Sequence, residues 1–136
     1  PLSEVALREQ VPPLMVLELS SFQLHDTPSV APTVSVLTNL APDHLDRYAS
    51  LEEYYADKDL LFRNASVQSW RVVNADDAEV LRRTATVPGH VRTFGVLSAA
   101  DARYDAAARM LVLEDQPFLE RDRLPLLGAH NVANAL

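Results

Sequence analysis

Four continuous apolar runs constrain this chain most: LMVLELS (Leu14 to Ser20), TVSVLTNL (Thr33 to Leu40), WRVVNAD (Trp70 to Asp76) and VRTFGV (Val91 to Val96). An alternating pattern marks a strand wet on one face, whereas an unbroken run marks a strand buried on both, as in a parallel sheet. Helical patterns separate the runs. Ser50 and Glu53 have capping-box spacing at the head of SLEEYYADKDLLF, and Asp76 or Asp77 supplies a cap for DDAEVLRRTA. This alternation predicts an open α/β layer, a mostly parallel sheet flanked by helices. From Ala102 the pattern changes: ARYDAAARMLVLEDQPFLERDRLPL reads as short antiparallel strands packed beside the main sheet, before GAHNVANAL begins another helix.

Composition narrows the class of molecule. The 136 residues suit one domain, and 48% apolar against 23% charged residues provides a core without the signature of disorder. Nineteen acidic against 12 basic side chains leave a net charge of -7, which with no Lys/Arg cluster disfavours nucleic acid as a partner. No apolar run approaches the ~20 residues of a membrane span, and no basic leader precedes a signal-like stretch. The absence of cysteine excludes thiolate chemistry and fits a reducing, cytoplasmic compartment. Three glycines, Gly89, Gly95 and Gly128, cannot build a phosphate-cradling loop, and neither GxxxxGK[ST] nor GxGxxG occurs. The chain opens on Pro1 and closes inside a helical pattern, as expected of a piece of a longer protein whose phosphate loop lies elsewhere.

Ligands of open α/β sheets bind outside the carboxyl ends of the strands. Glu18 ends the first run and Asn39 the second, with APDHLDRY following, so Glu18, Asn39, His44, Asp46 and Arg47 are expected along one crevice edge. Glu18 and His44 read equally as backbone-bonded strand-end and loop residues. In the helix after Ser50, Lys58 falls within a stripe of Leu51, Tyr54, Tyr55, Leu61 and Phe62. An inward lysine either snorkels its amine to the rim or is desolvated enough to stay neutral and nucleophilic. Such an amine can hold an anion or react with carbon dioxide, and the resulting carbamate is a hard oxygen donor of the kind Mg²⁺ prefers. Tyr54, Tyr55 and Phe62 read as core. Ser20 and Gln23 sit at the head of a short helix, where capping competes with ligand contact. In NADD the acids read chiefly as caps, and only secondarily as ribose contacts. His130, Asn131 and Asn134 lie at a helix start, with the two amides sharing a face.

LELSSFQL, TNLAPDHLDRY, the YYADKDLLF helix, VVNADD and LLGAHNVANAL, in this order and spacing, resemble the central, ATP-binding domain of the Mur ligases. These are ATP-dependent enzymes that form amide bonds in peptidoglycan precursors. The resemblance implies a P-loop-type domain without its phosphate loop, and without the amino-terminal uridine-nucleotide domain and the carboxy-terminal amino-acid domain. LELSSFQL is most similar to members that add D-glutamate to UDP-N-acetylmuramoyl-L-alanine; other Mur ligases and folylpolyglutamate synthases are the neighbouring readings. The implied cofactors are ATP and Mg²⁺. Glu18 matches the glutamate on the Mg²⁺ that bridges the ATP phosphates. His44 matches a histidine of a second metal site, and Lys58 the lysine carbamylated to support it. Ser20 and Gln23 match contacts to the muramoyl substrate, while His130, Asn131 and Asn134 match positions near adenine.

Two rival readings stand beside this one. A metal-dependent hydrolase would use Glu18, His44 and Asp46 as ligands, although that is a loose metal signature. A non-catalytic module would keep only the scaffold. An open position at the sheet edge would also invite the isolated chain to self-associate.

Overall fold

The computed structural model describes residues 2–10, 12–43 and 46–136. In chain order the elements are α1 (Leu2–Ala6), α2 (Ser21–Asp26), β1 (Val34–Leu37), α3 (Leu51–Asp59), β2 (Trp70–Asn74), α4 (Ala78–Thr84), β3 (His90–Gly95), β4 (Ala102–Asp105), β5 (Met110–Leu113), β6 (Gln116–Glu120) and α5 (Ala129–Ala135). A 3₁₀ turn over Leu60–Phe62 extends α3. All six strands form one sheet in sequence order. β1 through β4 are parallel and β4–β5–β6 antiparallel, with register pairs such as Leu37 with Val73 and Asn74 with Phe94. The carboxy-terminal strands therefore continue the main sheet instead of packing beside it. The link is a short parallel pairing of Phe94 and Gly95 with Ala102 and Arg103.

The core explains why the helices lie where they do. Leu37, Leu40, Tyr54, Tyr55, Phe62, Val73 and Val80 form one buried cluster that seats α3 and α4 on β1 and β2. Ser50 caps α3, its Oγ accepting from Glu53 N at 3.2 Å, while Glu53 Oε2 reaches one residue past the cap to Ala49 N. Asp77, not Asp76, caps α4, accepting from Glu79 N and Val80 N at 3.0 and 3.1 Å.

Two strand expectations are corrected. Leu14 to Ser20 is not a strand, and Leu14 and Val16 are 78% and 90% exposed. An apolar run reports a wish for burial, but a strand exists only through its ladder, and this run has no ladder partner among the described residues. Burial on both faces also fails in β1, where Ser35 and Leu37 are buried while Val34 and Val36 are half exposed. Helices α3 and α4 cover only the Leu37 side of that strand.

Gly89, at the turn into β3, has φ +101°, and a Cβ there would collide with Ser69 O and stand 2.7 Å from Ser66 O. Ser69 O already accepts the His90 amide at 2.8 Å, so this backbone cannot withdraw cheaply. Gly89→Ala should destabilise the protein by about 2–4 kcal/mol in chemical denaturation, combining positive-φ strain with the clash. A loss under about 0.5 kcal/mol, the range of neutral surface changes, would contradict this account of the turn.

Candidate functional site

A cavity of about 340 Å³ opens at the carboxyl end of β1, lined by Glu18, Leu19, Ser20, Ser21, Gln23, Asp43, Tyr54 and Lys58. Its walls come from three stretches of chain: the approach to α2, the loop after β1 and the inward face of α3. That location is where an open α/β sheet places ligands.

The α2 wall is set by a reciprocal capping box. Ser20 Oγ accepts from Gln23 N at 3.2 Å, and Gln23 Oε1 accepts from Ser20 N at 2.9 Å and from the Ser20 hydroxyl at 3.1 Å. Both expected substrate-contacting residues thus cap their own helix while still lining the cavity. Between α2 and α3, Asp57 Oδ1 meets His25 Nδ1 at 3.1 Å and Asp57 Oδ2 accepts from Tyr48 OH at 3.0 Å. The bond to Asp57, with that carboxylate's charge, raises the His25 imidazole above its ordinary range. Its stabilising share is therefore complete below the unfolded-state pKa and is lost as pH rises through the folded one. The link fixes the separation of the two walls.

On the α3 wall, Lys58 is partly buried with Nζ 5.1 Å from the centre of the Tyr54 ring. Tyr54 is 4% exposed and packs against Tyr48 and Tyr55 at centroid distances of 5.3 and 5.7 Å. It is core, as its spacing indicated, and also the surface on which the amine rests.

Of the residues expected at the site, Glu18, Ser20, Gln23 and Lys58 meet at this cavity. His44 lies outside the described residues. Asn39, Asp46 and Arg47 do not line it, which corrects the expectation of a shared crevice edge. Arg47 instead stands over the Phe22 ring at 5.2 Å, in a shallower depression with His25, Asp26, Tyr48 and Asp57. His130, Asn131 and Asn134 belong to α5 and do not line the cavity either. Gly128, with φ +92°, stands at the cap position of α5, and Asn131 Nδ2 donates back to Leu127 O at 2.7 Å. Asp43 was missed; its signal was its place directly before His44 in a loop leaving a strand end.

The acids of NADD have separate duties. Asp76 gathers the backbone amides of Val96, Leu97 and Ser98 at 2.6 to 3.2 Å and so fixes the loop after β3. Burial pushes its carboxyl upward, but the bonds from Ser98, Val96 and Leu97 together outweigh burial and hold it below the usual carboxylate range.

Glu18 and Asp43 present hard oxygen donors on one cavity, and Lys58 becomes a third if carbamylated. This set fits Mg²⁺, which keeps several waters and takes only one or two protein carboxylates beside substrate phosphates. Among the described residues, no group of three or more His, Cys, Asp or Glu is placed to hold a metal ion.

Comparison with known proteins gives the chain's relatives. The family pattern described as the Mur ligase middle domain matches residues 5–136. The UDP-N-acetylmuramoylalanine–D-glutamate ligase of Alcanivorax borkumensis is 41% identical over 123 residues, covering 90% of this chain and 27% of that protein. The ligase of the same name from Symbiobacterium thermophilum is 39% identical over 132 residues, covering 90% and 28%. A solved UDP-N-acetylmuramoyl-L-alanyl-D-glutamate–2,6-diaminopimelate ligase superposes with a TM-score of 0.66 at 27% identity, over 85% of this chain and 26% of its own. The chain thus spans less than a third of the length of these relatives. It belongs to the Mur ligase family, as a middle domain.

Proposed function

We propose that the chain is the ATP-handling part of a cytoplasmic ligase that joins D-glutamate to UDP-N-acetylmuramoyl-L-alanine during peptidoglycan precursor synthesis. The observation that carries this reading is the meeting of Glu18, Ser20, Gln23, Asp43 and Lys58 on one cavity, although Glu18 and Lys58 are far apart in sequence. Identity to D-glutamate ligases supports the choice of member. In the described residues no helix is long and apolar enough to cross a membrane.

The reaction has two transfers. The alanyl carboxylate attacks the γ-phosphorus of ATP, forming an acyl phosphate and releasing ADP. The D-glutamate amine then attacks that carbonyl, loses a proton, and the tetrahedral adduct expels phosphate to leave the amide. The difficulty is bringing a carboxylate to a triphosphate, since both are anions. Glu18, Asp43, His44 and a carbamylated Lys58 would hold Mg²⁺, which supplies charge neutralisation and in-line positioning. Ser20 and Gln23 would face the muramoyl group, and His130, Asn131 and Asn134 the adenine. The phosphate loop and the flanking domains of the full-length protein would complete the site.

The test is a product assay on the full-length protein with UDP-N-acetylmuramoyl-L-alanine, D-glutamate, ATP and Mg²⁺. Equal amounts of ADP and the D-glutamyl product are expected. Product with diaminopimelate but not D-glutamate would move the protein to another Mur ligase. Metal-dependent hydrolysis without nucleotide would overturn the ligase reading.

A further inference from the structure

Asn74 and Asp77 brace the backbone that leaves β1. Asn74 Nδ2 donates to Thr38 O at 2.9 Å, and Asp77 Oδ2 accepts from Leu40 N at 2.9 Å. Three residues beyond Leu40, Asp43 enters the cavity that holds Lys58. Asp77 uses its other oxygen, Oδ1, for the α4 cap, so the two oxygens have separable tasks. Asn74 is itself held, its Oδ1 accepting from Asp76 N at 2.8 Å. Leu40, 8% exposed, is anchored in the core beneath. Residues 38–40 are thus gripped at a carbonyl, an amide and a side chain, and the grip comes from the neighbouring strand β2 and its turn.

We propose that Asn74 and Asp77 are positioning residues of the ligase reaction: together they fix the loop after β1 so that Asp43 is presented to the cavity beside Lys58. The inference rests on the proposed function for its catalytic meaning, but the clamp itself is a property of this chain. Helix capping alone would require only one oxygen at position 77; a second oxygen turned to Leu40 serves the loop.

Asp77→Ser separates the tasks, because serine caps helices as well as aspartate does but has no second oxygen for Leu40. In amide hydrogen exchange, Leu40, Ala41 and Asp43 should exchange at least about tenfold faster, while residues 79–81 stay within about twofold of the parent. Asn74→Ala should speed the same loop amides. Unchanged exchange at 40–43, or equal acceleration through α4, would overturn the proposal. In the full-length protein, Asp77→Ser should lower kcat about tenfold with the KM for ATP within about twofold. An active wild type whose Asp77→Ser variant keeps its kcat would also overturn it. A wild type without ligase activity would instead remove the proposed function, leaving the exchange data to judge the clamp.

Discussion

Replacing Arg83 by alanine should cost about 2–4 kcal/mol of folding stability, the largest loss expected from any single charged side chain here. Arg83 is only 5% exposed, yet it faces three acids: Glu52, Asp59 at 2.7 Å and Glu79 at 2.6 Å. Its guanidinium also lies 5.1 Å from the centre of the Tyr55 ring. The side chain therefore fastens α4 to α3, the helix that carries Lys58. Pairs with an exposed partner contribute under about 1 kcal/mol each. The larger figure comes from losing three of them together with the packed stem over Tyr55, and from leaving Asp59, whose Oδ1 is buried with no hydrogen-bond partner among the described residues, without its cation. Arg83→Met keeps the stem over Tyr55 and should lose less than Arg83→Ala. Adding Asp59→Asn to Arg83→Met should restore part of the loss, since no stranded charge then remains. Strict additivity of those two substitutions would refute the coupling.

The same network predicts a pH signature. Burial raises the Asp59 carboxyl above its ordinary range, more than Arg83 lowers it. An acid raised by folding costs stability while ionised, and that cost fades as pH falls through its folded pKa. Without Arg83 the upward shift grows. Glu79, held at about 2 by Arg82 and Arg83, changes in the same sense, because it loses one of the cations that favour its charged form. The deficit of Arg83→Met should therefore narrow between pH 7 and pH 4 in denaturant titrations. A deficit that stays constant over this window would place the lost energy in packing, not charge, and one that widens would contradict the sign of the Asp59 and Glu79 shifts.

What the sequence discloses here follows the range of each interaction. β2 and β3 were legible because their apolar runs lie beside partners of the same kind, and Asp77 and Ser50 because a cap bonds within three residues. Leu14 to Ser20 misled because its pattern carries no information about a ladder partner. Arg83 gave no signal, since Glu52 and Asp59 meet it only after α3 and α4 pack. The same holds for Asp76: its bonds reach Val96 to Ser98, some 20 residues away, where a sequence reading looks first for a local cap. Glu18 and Lys58 stand out by residue type and resemblance, and the fold brings both to one cavity, while Asp43, which lines it too, is not singled out by the sequence. The motifs are local; the geometry that brings them together is nonlocal.

Lys58→Ala in the full-length protein should lower ligase turnover at least about a thousandfold, the scale of losing a charge-stabilising group from a metal site. Nζ lies partly buried over Tyr54, on a cavity shared with Glu18 and Asp43. A cationic amine there would repel a divalent ion. Attack of the neutral amine on carbon dioxide, with loss of one proton, reverses the sign and gives two oxygens at the same point. Alanine removes the side chain but leaves a space that a small carboxylate can enter, so acetate or formate should return part of the activity. Lys58→Arg preserves charge and length yet cannot form the carbamate, so it should be as inactive as alanine and less open to rescue. Carbon-13 bicarbonate should give a carbamate resonance in the wild type and none in either variant. Turnover in Lys58→Ala near the wild-type rate would remove Lys58 from the reaction. Full activity of Lys58→Arg would show that positive charge, not an oxygen donor, is what the site requires.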